Sequence, residues 1–194
     1  TAYEIKECDW SSDVCSSDLG IPALIDVLYN RSNAIVCILD NRITGMTGQQ
    51  QNPGTGLTLQ GEPTKELDIE TVVRALGAEN VRVINPMDLR EVRNTFKWAY
   101  KLDQPSVIIT KWPCVLKKLN AEESEMYRHA ATAFHVVDAE CTGCKSCLEI
   151  GCPAISFDKA RDKAAINETA CVGCSVCGQV CNLGAMVAKE LEHA

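Results

Sequence analysis

The 194-residue chain holds little with which to read nucleic acid. Aromatic residues make up only 5% of it, and its net charge is −7. An acidic surface repels phosphate backbones, and no basic patch interleaved with aromatics occurs, so a nucleic-acid partner is not expected. No apolar run approaches the ~20 residues of a membrane-spanning helix, so no membrane partner is expected either. A secretory signal is missing, which argues against a disulfide framework despite 12 cysteines. The Walker phosphate loop is absent too, because the conspicuous glycine-rich loop lacks the Gly-Lys-[Ser/Thr] ending. These absences leave a soluble, cytoplasmic protein whose chemistry must come from elsewhere.

Cysteine supplies it. Eight cysteines fall in two runs, Cys141-x2-Cys144-x2-Cys147-x4-Cys152-Pro153 and Cys171-x2-Cys174-x2-Cys177-x3-Cys181. Cys141, Cys144 and Cys147 recur 30 residues later as Cys171, Cys174 and Cys177. Each run offers four thiolates, the number one [4Fe-4S] cube needs. Zinc held by four cysteines is the alternative, but a zinc knuckle brings two ligands where each loop here brings three. Two such cubes would add about four negative charges, each carrying about −2 with its thiolates. The runs resemble those of two-cluster ferredoxins, in which the fourth cysteine ligates the other cluster. That resemblance implies one cluster on Cys141, Cys144, Cys147 and Cys181, and a second on Cys171, Cys174, Cys177 and Cys152. It also departs from the ferredoxin pattern twice: four residues separate Cys147 from Cys152, and Asn182 stands where proline usually follows the fourth cysteine. The apolar stretches 154–157 and 185–188 occupy matching places and read as paired strands flanking the clusters.

The chain before residue 120 has a different texture. Ile21, Leu24, Ile25 and Leu28 mark a helix over 20–31, and 34–39 is a continuous apolar run suited to a buried parallel strand. A helix follows over 68–76 with Gly77 as its stop. Residues 81–84 form a strand, 88–102 a helix with Leu89, Val92 and Phe96 on one face, and 106–110 a third strand. Alternating strands and helices predict an open, mostly parallel α/β sheet with right-handed crossovers. After the first strand runs a polar loop from Asp40 to Gly56, at the end of a parallel strand where such sheets bind ligands. Asn41, Thr44 and Thr47 offer oxygen donors suited to a hard cation such as Mg2+, and Gly45 and Gly48 permit close backbone approach. A plain surface loop is the alternative.

Asp40-Asn41-Arg42-x-Thr44-x-Met46-Thr47-Gly48-Gln49, with Pro53-Gly54-Thr55-Gly56, resembles the thiamine-diphosphate loop of the indolepyruvate:ferredoxin oxidoreductase alpha subunits. The helix around Glu66–Gly77 and the C-terminal cysteine module fit the same family, in which the four-residue gap before Cys-Pro-Ala-Ile is common. The likeness covers residues 20–194, the last third of a longer subunit. It implies a thiamine-diphosphate domain of open parallel-sheet α/β type over 20–116 and a linker over 117–133. A small α+β ferredoxin-like domain with two [4Fe-4S] clusters would occupy 134–194. Asn41 would ligate Mg2+ through its side chain and Ile43 through its carbonyl, with Thr44, Gly45, Met46, Thr47 and Gly48 against the cofactor.

The implied reaction is oxidative decarboxylation of an aryl 2-oxoacid to acyl-coenzyme A, electrons leaving singly through the clusters to an external ferredoxin. A smaller beta subunit would be the partner. Pyruvate or branched-chain substrates, or a plain ferredoxin-type carrier, are the competing readings. The family's Gly-Asp Mg2+ ligand would fall near residues 11–16, which read Ser-Ser-Asp-Val-Cys-Ser. Residues 8–19 fit neither helix nor strand period, and residues 1–19 read as foreign to the fold or disordered. An activating glutamate is also missing, so the chain alone is expected to be inactive. Cys37 reads as a small buried hydrophobe, Cys114 as structural or incidental, His129 and His135 as surface or packing residues, and Trp98 as a helix packing residue. The charged stretch 117–128 reads as a solvated linker.

Overall fold

The computed structural model describes residues 20–45, 48–127 and 133–189. The chain divides into two compact units, one ending at Lys118 and the other beginning at Leu119.

The first unit is the α/β layer structure that the strand–helix alternation predicts. Helix α1 (Gly20–Tyr29) leads to strand β1 (Ile35–Asp40). After a long loop come α2 (Ile69–Ala75), β2 (Asn80–Ile84), α3 (Leu89–Ala99) and β3 (Ser106–Lys111). The three strands are parallel in the order β1-β3-β2, with Ile35 and Asn80 both opposite Ser106. β3 is central, and Val107, Ile108 and Ile109 are almost wholly buried because helices cover both faces. Leu24 of α1 and Val73 of α2 pack with Ile38, Val81, Val107 and Ile109 on one face. Val92, Phe96 and Ala99 of α3 pack with Ile84 and Ile108 on the other. Cys37 and Trp98 join this second core, as the sequence suggests for both.

Two helix starts are set by aspartates. Asp68 accepts from the Glu70 N–H, and Asp88 from those of Arg90 and Glu91, satisfying donors that a first turn leaves unpaired.

The second unit is a small α+β structure. Helix α4 (Ala121–Tyr127), which has no buried residue, lies inside the stretch read as linker. Strand β4 (Phe134–Val136), β5 (Ile155–Asp158), β6 (Lys163–Ile166), the short helix α5 (Val176–Val180) and β7 (Met186–Ala188) follow. A 3-10 turn, Ser146–Ile150, sits inside the first cysteine run. The stretches 154–157 and 185–188 are strands, but they do not pair with each other. β5 pairs antiparallel with β6, and β7 with β4, in two separate sheets. The tight reversal at 159–162 makes the local β5–β6 hairpin cheap to close, which leaves β7 to return to β4.

Candidate functional site

The loop after β1 is built by continuing the β1–β3 ladder past the sheet. The Trp112 N–H donates to the Asp40 carbonyl at 3.0 Å, and the Cys114 N–H to that of Asn41 at 2.8 Å. Asp40 accepts from the Arg42 N–H at 3.0 Å, and Arg42 takes a left-handed φ of 58°. The buried Arg42 guanidinium then reaches Asp40 at 3.4 Å and Glu66 at 2.9 Å, with Lys111 3.7 Å from the same Glu66 carboxylate. Burial pushes Glu66 up, but the hydrogen bond and charge of Arg42, joined by Lys111, outweigh it and hold the carboxyl below its usual range.

The donors proposed from sequence lie along this turn. The Asn41 side-chain oxygen accepts a long 3.4 Å bond from the Ile43 N–H. Ile43 and Thr44 are buried, and Thr44 bridges to Gln50 with a 3.0 Å backbone bond. Asn52 donates to the Thr44 hydroxyl at 3.5 Å, and its own side-chain oxygen caps Gly54. A Cβ on Gly45 would lie 3.6 Å from both the Asn41 amide nitrogen and the Cys114 sulfur. Gly48 has φ 121°, a backbone that side chains rarely adopt. Met46 and Thr47 lie outside the described residues. The loop thus offers neutral oxygen donors of the kind Mg2+ takes, while the nearby Asp40 carboxylate is committed to Arg42. The donor set fits part of a Mg2+-diphosphate site.

Sequence reading missed two parts of this arrangement. Lys111 is set opposite Asp40 by the parallel β1–β3 register, and the return of the loop to Pro53 brings Glu66 alongside, which no local pattern signals. Cys114, read as structural or incidental, stands beside Gly45 and Asn41 because the ladder carries it there.

The eight cysteines of the second unit form two groups that cross between the runs. Cys141, Cys144, Cys147 and Cys181 line one hollow, together with Lys145, Ser146 and Met186. Burial pushes the Cys147 thiol up, and the charges of Cys141, Cys144 and Cys181 add to it. Burial also raises Cys177, to about 11, and there the neighbouring charges come from Cys174, Cys171 and Cys152. The Phe134 N–H donates to the Cys171 sulfur at 3.4 Å. Cys144, exposed, has its thiol lowered chiefly by hydrogen bonding to Ser146, whose hydroxyl is 3.7 Å away. Among the described residues no three His, Cys, Asp or Glu side chains converge on a single ion. The thiols ring a hollow instead, a donor set that fits a multi-iron cube.

The loops that carry these thiols depend on left-handed backbone. Gly143 and Gly173 have φ of 72° and 69°, and Lys145 and Ser175 have 66° and 63°, so the turn geometry repeats with the cysteines.

Residues 9–110 match the family described as thiamine pyrophosphate enzyme, C-terminal TPP binding domain, and the chain belongs to that family. It is similar over most of its length to curated relatives. It is 42% identical over 165 residues to "Indolepyruvate oxidoreductase subunit IorA" of Thermococcus kodakarensis, covering 84% of this chain and 25% of the relative. It is 41% identical over 167 residues to the protein of that name from Pyrococcus horikoshii, covering 86% and 25%. The Archaeoglobus fulgidus protein of that name is 38% identical over 163 residues, covering 84% and 25%. The chain therefore spans about a quarter of the length of the curated relatives it matches. The family match begins at residue 9, within the stretch read as foreign, which lies outside the described residues.

Proposed function

We propose that this chain is the part of a 2-oxoacid:ferredoxin oxidoreductase subunit that holds one side of a thiamine-diphosphate site and carries two [4Fe-4S] clusters. The observation that carries the reading is the crossed thiol grouping, with Cys181 beside the first run at one hollow, in a chain of the thiamine enzyme family. Bound thiamine diphosphate supplies the electron sink for decarboxylating a 2-oxoacid, and iron–sulfur cubes carry electrons singly.

The residues have separable tasks. Asn41 and the Ile43 carbonyl would hold Mg2+, and Thr44, Gly45, Met46, Thr47 and Gly48 would lie against the diphosphate and thiazolium. The Arg42–Asp40–Glu66 linkage fixes the turn between Asn41 and Ile43. Cys141, Cys144, Cys147 and Cys181 would hold one cube, and Cys171, Cys174, Cys177 and Cys152 the other. The name of the relatives favours indolepyruvate as substrate and a further subunit as partner. The resemblance of the loop and cysteine motifs adds coenzyme A as acyl acceptor, a smaller beta subunit as that partner and an external ferredoxin as electron acceptor.

An anaerobic iron assay of the complete subunit should return about eight irons per chain, two cubes of four. Cys181→Ala should remove the signal of the cube on the first run; loss of the other cube alone would refute the crossed grouping. Faster steady-state turnover of pyruvate than of indolepyruvate would overturn the substrate.

A further inference from the structure

The two cysteine groups share a sequence repeat but not an electrostatic setting. Lys163, at the start of β6, donates from its ammonium to the carbonyl of Cys141 at 2.6 Å and also to that of Asp138. These two carbonyl bonds are its polar contacts among the described residues. Of the other basic side chains nearby, Arg161 pairs with Asp138 and Asp158, and Lys189 with Glu168. Lys163 therefore leaves a full, partly buried positive charge against the backbone of a first-group cysteine. Stepping back by the 30-residue repeat, the matching position in the other half is Ala133, which is neutral. Lys145, which lines the first hollow and stacks over the Phe157 ring at 4.4 Å, likewise corresponds to Ser175.

The acidic side chains near the first run do not cancel this charge. Asp138 is held by Arg161, while Glu140, Glu149 and Asp162, whose carboxylate lies beside Gly143 of the first run, are exposed, where water and salt screen them. On the second side the Phe134 N–H to Cys171 is a partial charge, where the ammonium carries a full one.

Adding an electron to a cube makes it more negative, and a nearby fixed positive charge stabilises that added charge. We propose that Lys163 gives the first group, Cys141, Cys144, Cys147 and Cys181, the higher reduction potential and so makes it the exit end of the electron relay. The step is a one-electron transfer with no bond made or broken. An electron released by 2-oxoacid oxidation reaches the second group, passes to the first, and leaves to a one-electron carrier protein. Exposure agrees with that direction, since Cys144 is the exposed cysteine of the eight. The inference rests on the two-cube reading given above.

Redox titration of the complete holoenzyme, followed by electron paramagnetic resonance, tests it. Cys144→Ser marks the first-group signal, and in the unaltered enzyme that signal should appear at the higher potential. Lys163→Gln should shift that signal alone to lower potential, and Lys163→Arg should leave it near its original value. A first-group signal that reduces last, or a Lys163→Gln shift that is absent or equal for both cubes, would overturn the proposal. If Lys163→Gln does not assemble, the order in the unaltered enzyme still decides. An iron content well below eight would instead fail the two-cube reading.

Discussion

At the scale of single residues, the cysteine loops show how backbone and ligand chemistry interlock. A Cβ on Gly143 would press into the Asp162 carbonyl oxygen, and the residue also sits at φ 72°. Gly151 has a similar φ of 70° but nothing within 4 Å of a Cβ. Gly143→Ala should therefore cost about 2–4 kcal/mol, strain plus overpacking, whereas Gly151→Ala should cost about 1–2 kcal/mol from strain alone. Denaturant midpoints of the two variants would separate them, and equal losses would show that the Asp162 contact yields freely. The cysteines themselves are plain in sequence, because three of each group recur at two-residue gaps along the chain. Lys163 and Glu66 are not. Their roles depend on what lies opposite them across a turn, which spacing does not encode.

At the scale of elements, the central strand explains most of the first unit's order. Ile108 is fully buried against α3, and its neighbours Val107 and Ile109 are buried on the other face. Ile108→Ala should destabilise the unit by about 2–5 kcal/mol, transfer plus cavity. Leu39→Ala, at a side chain 45% exposed, should stay within about 0.5 kcal/mol. Thermal unfolding followed by circular dichroism would show the contrast, and similar losses at both sites would contradict a β3-centred core. All three strands and three helices of this unit were legible from apolar runs and helix periods, since both report burial directly. The pairing of β5 with β6 rather than β7 was not. Strands of three or four residues carry too little alternation to choose a partner, and the short turn at 159–162 decided it.

At the scale of the whole molecule, the two units are held by different means. The first buries aliphatic side chains on both faces of a sheet. Among the described residues the second has a small buried cluster, Cys147, Ala164 and Met186, with several cysteines packed around it. On the two-cube reading proposed above, so small a core would leave much of the stability to the metal. Removing iron from the complete subunit with a chelator should therefore unfold the region from Leu119 onward while the β1–β3–β2 sheet keeps its protection. Hydrogen exchange would read this. Retained protection in β4 to β7 without iron would show that the apolar contacts suffice.

The sequence by itself determined the set of thiol donors in the second unit and the strand–helix alternation in the first. Both are written locally, in cysteine spacing and in the period of apolar residues. The loop motif likewise pointed to the thiamine enzyme family before any fold was in view. Only the tertiary structure decided that β3 lies between β1 and β2 and that Glu66 and Lys111 meet at Arg42. The same holds for Lys163 against the Cys141 carbonyl. Each of these joins residues distant in sequence, and such contacts follow from how the chain packs, which no local pattern records.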